Sequence, residues 1–207
     1  TIPIVSSNMN SVTGPRLAAV LARRGGLGVL PQDLPLQDLD AAIRWVKAQP
    51  TAWDTALVLG AEATVAEARR MLPPAEGHGI VVGRSVDGVL RMEDVTGVVA
   101  ASRLPTALSD ARLGDLVHAR PIAIEAEDIR DGRAAFELIV AADAELVLVV
   151  RRGEVIGTLS RRGALRSTLY RPAVDASGRL HVAAAIGISG DVAAKARALA
   201  AAGVDVL

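Results

Sequence analysis

Apolar and polar positions follow two different patterns along the chain. Residues 1–50 and 167–207 read as short, continuous apolar runs separated by stretches of helical period. Near the start, IPIVSSNMNSVTG (2–14) opens on the β-branched run Ile2–Ser6, of the kind a parallel sheet covered on both faces contains. Pro15 suits the first position of a helix that carries Leu17, Val20 and Leu21 on one side and stops at Gly25-Gly26. Leu27–Leu30 predicts a second strand. Asp33 as cap and Pro35 in the first turn predict the next helix, where Leu36, Leu39, Ile43 and Val46 form a core-facing stripe. The far end repeats this order. Arg179–Ile186 reads as a strand, Ser189 or Asp191 as a cap, and Val192–Ala202 as a helix stopped by Gly203. Val204–Leu207 then reads as another strand. Alternating β and α units of this kind predict a parallel sheet.

Residues 51–166 follow the second pattern. GIVVGRSVDGVLRMEDVTG (79–97) can be laid over LVLVVRRGEVIGTLSRRGAL (146–165). Each has an apolar strand, a polar turn with a glycine, a second apolar strand and a polar helix start. A helix precedes each copy: Thr64–Leu72, with Thr64 and Glu67 at capping-box spacing, and Ile129–Ala141. Two copies are too few for a solenoid and suit a pseudo-symmetric pair. Joints at Gln49-Pro50 and Arg171-Pro172 mark where this insert leaves and rejoins the outer pieces.

Composition narrows the chemistry. With 23 basic and 23 acidic residues the formal net charge is zero, which argues against a nucleic-acid-binding chain. The apolar fraction is 51%, but no uninterrupted run approaches the ~18 residues that cross a bilayer, and no signal-peptide pattern opens the chain. A soluble, cytoplasmic protein without membrane partners is expected. The absence of cysteine excludes disulfides, thiolate metal sites and a cysteine nucleophile within these residues. His78, His118 and His181 lack ligand spacing and read as surface or packing residues, so no metal is expected. The chain opens at Thr1 within one strand pattern and closes at Leu207 within another. Its outer pieces hold far fewer than the ~250 residues of a complete eight-stranded α/β barrel. A fragment with about half of such a barrel is expected.

IPIVSSNMNSVTG followed by LARRGGLGVLP resembles the strand-loop-helix-strand opening of the IMP dehydrogenase and GMP reductase family. SGRLHVAAAIGISGDVAAKARALAAAGVDVL is similar to that family's third strand, third helix and fourth strand, and the insert looks like a pair of CBS motifs. The fold implied is α/β: the first half of a (β/α)8 TIM barrel with an inserted α+β tandem CBS (Bateman) domain. The boundaries are 1–50 for the first barrel part and 51–166 for the CBS pair, with repeats of about 51–108 and 109–166. Residues 167–207 continue the barrel, truncated. Asn8-Met9 resembles the Asn-Met of GMP reductases, where dehydrogenases usually have Pro-Met. Leu30-Pro31-Gln32-Asp33 replaces the dehydrogenases' Ile-His-Arg/Lys-Asn, whereas Asn10 departs from both branches. The actinobacterial, CBS-containing reductase branch is the one favoured.

Read from the residues alone, Met9 plugs the barrel top and Ser7 caps a turn; the resemblance instead places Ser7, Asn8 and Met9 on a purine nucleotide monophosphate. The Ser7 hydroxyl would bond the nucleotide and the Met9 thioether would lie on the ring. Gly187-Ile188-Ser189-Gly190 reads either as an anion-binding turn or as an ordinary strand-to-helix connection. The family implies a cysteine thiolate that attacks purine C2. In reductases ammonia leaves and NADPH delivers hydride, giving IMP; in dehydrogenases NAD accepts hydride and water then releases XMP. This chain holds no catalytic residue of that scheme, so alone it is expected to be inactive. A CBS pair implies a regulatory ATP or GTP, with Asp94, Arg91, Ser160 and Arg161 as the matching positions. On that reading the first repeat keeps Asp94 but has Arg91 at the hydroxyl position, while the second keeps Ser160 but has Gly163 at the acidic one. Arg84, Arg151, Arg152, Arg161 and Arg162 either supply phosphate charge or are solvated turn residues. The family also implies self-association, as tetramers that can stack into octamers through CBS modules. Acting alone, the fragment would be a nucleotide-binding regulatory module.

Overall fold

The computed structural model describes residues 2–72, 78–117 and 121–207. It divides the chain into one unit of residues 1–52 with 169–207 and a second of 53–168. In chain order come α1 (Pro15–Arg23), β1 (Val29–Leu30), α2 (Leu36–Lys47), β2 (Val58–Leu59), α3 (Val65–Met71), β3 (Gly79–Gly83) and β4 (Val95–Ala100). They are followed by α4 (Leu113–Leu116), β5 (Ala123–Glu125), α5 (Gly132–Ala141), β6 (Leu146–Arg151), β7 (Glu154–Ser160), α6 (Arg161–Leu169), β8 (Ala183–Ala184) and α7 (Val192–Ala202).

In the first unit β1 and β8 run parallel, with Val29 opposite Ala183 and Leu30 opposite Ala184. Val5 extends this array beside Leu27 and Val206 extends it beside Ala183, both in parallel. Segments from both ends of the chain therefore share one parallel sheet. Its core joins Leu30, Leu39, Ile43, Leu180, Val182 and Leu199. Gly28 lets α1 come close: a Cβ there would lie 2.4 Å from the Ala18 Cα. That approach explains a departure from the sequence pattern. The face of α1 that is fully buried is Ala18, Ala19 and Ala22, while Leu17, Val20 and Leu21 are half-buried.

Other expectations shift as well. Ile4 and Val5 are 51% and 63% exposed rather than covered on both faces. Their segment pairs along one edge, with Leu27, through the Ser6 and Leu27 amides. Pro35, not Asp33, takes the N-cap of α2, and no side chain caps that end. Leu36 is accordingly exposed, while Leu39, Ile43 and Val46 are buried. Of the Arg179–Ile186 run, Ala183–Ala184 is strand. A turn takes its beginning: the Asp175 carboxylate accepts the amides of Ser177 and Arg179, and Gly178 adopts φ +77°. By contrast, α7 spans Val192–Ala202 as read, capped by Asp191 and ended by Gly203 at φ +100°.

A buried lysine ties this unit together. The Lys47 ammonium, its side chain 4% exposed, donates to Asp175 Oδ2 at 3.0 Å and to both Asp205 oxygens at 2.8 and 2.7 Å. Asp205 Oδ2 also accepts the Val182 amide at 2.8 Å. The Asp175 carboxyl is held far below the usual carboxylate range, chiefly by the Arg179 amide and further by Lys47, the Ser177 amide and the Arg179 guanidinium.

The second unit contains the same motif twice. β2 lies parallel to β3, which pairs antiparallel with β4; β5 lies parallel to β6, which pairs antiparallel with β7. The registers match. Gly97 faces Val82 and Gly157 faces Val149, and each pair is followed by a bulge. Each sheet packs its helix on one face, around Ile80, Val82 and Val99 in the first and Val147, Val149 and Leu159 in the second. Val81, Leu90, Leu148 and Val150 form a further core shared by the two motifs. Thr64 and Glu67 complete the capping box of α3. α5 begins at Gly132 rather than Ile129, because Asp131 accepts the Ala134 amide and the chain before it turns through Ala126–Asp128.

The copies differ after their last strands. The second continues directly into α6, where the buried Ser160 accepts the Gly163 amide at 2.9 Å. The first runs instead into a 3-10 stretch, Ala101–Thr106, interrupted by Pro105. Arg69 of α3 satisfies the carbonyls left over there, donating to those of Leu104, Pro105 and Ala107.

A carboxylate held below its unfolded value contributes stability that is full above about pH 3.9 and is lost as the pH falls. Acid unfolding is therefore expected to set in below about pH 4, and Asp175→Asn should flatten the decline over that range in circular-dichroism melts. Ser160→Ala should cost about 1 kcal/mol in denaturant unfolding through loss of the α6 cap.

Candidate functional site

Two places gather the residues singled out by the sequence. The first is the edge of the parallel sheet where its strands end. Ser7, Asn8 and Met9 follow the Val5 segment directly, and all three are exposed. The loop then tightens: the amides of Val12 and Thr13 both donate to the Met9 carbonyl at 2.9 Å. The segment 187–191 follows β8 and ends in the α7 cap, with Ile188 96% exposed. There the Asp191 carboxylate accepts the Ala194 amide at 2.8 Å. An acidic group thus already occupies the start of α7, which fits an ordinary strand-to-helix connection better than an anion site. The Gln32 side chain reaches this second loop, its Oε1 lying 3.4 Å from where a Gly187 Cβ would be. A parallel sheet presents such loops where its strands end, and an exposed thioether and hydroxyl there can meet a flat, polar ligand.

The second place lies in the 53–168 unit. Asp94 lines a cavity of about 460 Å³ with Leu59, Gly60, Arg84, Ser85 and Thr96. Two carboxylates (Asp94 and Glu62), one guanidinium and two hydroxyls line it. Glu62 is paired with Arg112, and the remaining donors and acceptors suit a sugar hydroxyl and a phosphate. Arg91 does not line this cavity. Ser160 is 2% exposed and engaged as the α6 cap. Arg161 faces Asp143, with Nη2 3.6 Å from Oδ1. A smaller cavity of about 260 Å³ is lined by Ala100, Arg103, Ile122, Asp143 and Glu145.

The register corrects the alignment of the two copies. Counted from Gly97 and Gly157, the position equivalent to Ser160 is Ala100, and that equivalent to Gly163 is Arg103. Arg91 and Asp94 are not their counterparts. The cause is a difference in connection length. β6 and β7 are joined by Arg152-Gly153 alone, whereas β3 and β4 are joined by residues 84–94. Those residues carry their own small hairpin, with Val86 opposite Val89 around Asp87-Gly88 at positive φ. The two glycine turns look alike in sequence but end different strands.

Several site residues were not legible beforehand. Ser85, just after β3, and Thr96, in β4, meet Asp94 around the larger cavity only in the fold, and Arg103 lines the smaller one. Thr13, 1% exposed, is the one buried residue of an otherwise exposed loop. Its place in a Ser-Ser…Thr spacing was the available signal. His118 lies outside the described residues. Among the described residues no helix is long and apolar enough to cross a membrane, and no group of three His, Asp or Glu side chains is placed to hold a metal ion.

Comparison with known proteins identifies the family. The family model described as IMP dehydrogenase / GMP reductase domain matches residues 1–207. A GMP reductase of Mycobacterium tuberculosis is 40% identical over 213 residues, covering 100% of this chain and 42% of that protein. An inosine-5'-monophosphate dehydrogenase of Bifidobacterium longum is 28% identical over 211 residues, covering 99% of this chain and 38% of that protein. The chain therefore spans less than half the length of these relatives. Among solved structures, GMP reductase from Trypanosoma brucei in complex with guanosine 5'-triphosphate shares the fold, with a TM-score of 0.63 at 23% identity over 99% of this chain and 50% of that one. The chain belongs to the IMP dehydrogenase / GMP reductase family.

Proposed function

We propose that these 207 residues are part of a GMP reductase, which converts GMP, NADPH and a proton to IMP, ammonia and NADP. The observation that carries this reading is the 40% identity to the mycobacterial GMP reductase, against 28% to the dehydrogenase. Asn8-Met9 at the sheet rim agrees with it. In this reading the parallel sheet of the first unit is the first half of a TIM barrel, and Ser7–Met9 receive the purine nucleotide. Ser7 bonds the nucleotide and Met9 lies on the purine face. Hydride for C2 is what NADPH supplies when bound, and the residues that hold it are assigned outside this chain. The attacking thiolate is likewise assigned elsewhere, because no cysteine is present here. These residues alone are thus expected to be inactive. The setting is cytoplasmic.

We further propose that residues 53–168 are a tandem CBS pair that senses ATP or GTP and supports self-association. The twofold repetition of one strand order supports the pairing. The cavity that joins Asp94 to Arg84 supports a nucleotide there. Arg91, Ser160 and Arg161 are not carried into that site.

In the full-length protein, GMP should drive oxidation of NADPH, read as loss of absorbance at 340 nm, with ammonia released. NAD reduction by IMP without GMP turnover would favour the dehydrogenase instead. Calorimetry with ATP and GTP should give a binding isotherm that Asp94→Ala weakens at least about tenfold, as expected for a lost charged hydrogen bond. No heat with either nucleotide would leave the pair an architectural module.

A further inference from the structure

The loop carrying Ser7, Asn8 and Met9 is closed at its base by hydroxyl groups that the proposed reaction does not use. The Val29 amide donates to Ser6 Oγ at 3.0 Å. Ser6 Oγ and Thr13 Oγ1 lie 2.8 Å apart, and Thr13 Oγ1 is also in hydrogen-bond contact with the Ser7 carbonyl. A hydroxyl carries one proton. The three contacts are all satisfied when the Val29 amide donates to Ser6, the Ser6 hydroxyl to Thr13, and the Thr13 hydroxyl to the Ser7 carbonyl. The relay runs from the β1 backbone to the backbone of the first residue of the loop. Thr13 is 1% exposed, whereas residues 7–12 are all exposed. Two amide donations to the Met9 carbonyl also cross the loop.

We propose that Thr13 is a positioning residue: through this relay it sets the backbone of Ser7, and with it the orientation of Ser7–Met9 toward the bound nucleotide. The inference rests on the GMP-binding reading above. An apolar residue of the same shape at 13 fills the same space but leaves the Ser7 carbonyl and the Ser6 proton without their partner. The loop then samples orientations that do not meet the ligand, and affinity falls more than turnover at saturation.

The test uses the full-length enzyme with Thr13→Val and Thr13→Ser. Thr13→Val should raise the KM for GMP about tenfold with kcat kept within about twofold, and should speed amide exchange at Val12 and Thr13 about tenfold. Thr13→Ser, which keeps the hydroxyl, should restore both. Wild-type KM and exchange in Thr13→Val would overturn the proposal. So would a Thr13→Ser enzyme as impaired as Thr13→Val, since the methyl group would then be what matters. If the wild-type protein fails to bind GMP, the functional reading falls, while unchanged exchange in Thr13→Val separately removes the relay.

Discussion

The sheet that presents the candidate substrate loop depends on one ammonium group. Lys47, at the end of α2, meets Asp175 and Asp205, which lie 128 and 158 positions further along the chain. A lysine buried to this degree is costly to desolvate, and only well-placed opposite charges offset that cost. Here two carboxylates do so, and one of them also takes the Val182 amide at the approach to β8. The contact fixes where the returning segment meets α2. It thereby supports the register that sets Ala183 beside Val29. The whole 53–168 unit lies between these stretches in sequence, so the sheet forms only through non-local contacts of this kind.

Small residues do the complementary work on the helix side. Gly28 and Ala18 allow α1 to approach the sheet more closely than any larger pair could. The leucines of α1, which dominate the sequence pattern, are left half-buried. Hydrophobicity alone would have chosen the wrong face, because shape decides which residues touch at so short a separation. The same economy of space is seen at the loop base, where the hydroxyls of Thr13 and Ser6 meet the Ser7 carbonyl and the Val29 amide.

Features governed by local chemistry were legible in the sequence. The α7 helix follows from its Asp191 cap and Gly203 stop, and the α3 start from its capping box. The repeated strand order of the second unit was visible from apolar runs and glycine turns. What escaped was non-local or a matter of length. Residues 84–94 carry an extra hairpin, so Arg91 and Asp94 have no counterparts at Ser160 and Gly163, and only the ladder shows that Ala100, facing Gly79, is the equivalent of Ser160, facing Leu146. Ser160 read as a free hydroxyl because nothing local announces that it caps the helix following it. Asp33 reads as a cap from its residue type, but α2 starts two positions later, with Pro35 itself at the N-cap. The candidate loop Ser7–Met9 is legible only by resemblance, and its closure by Thr13 only in the fold.

The account turns on both ends of the chain building one parallel sheet whose rim loop receives a purine nucleotide. An experimental structure of the full-length protein with GMP bound tests this most directly. The account predicts Val29 beside Ala183 in parallel register and the purine ring against Met9. A nucleotide bound away from residues 7–9, or the Val5 and Val206 segments in separate sheets, would contradict it.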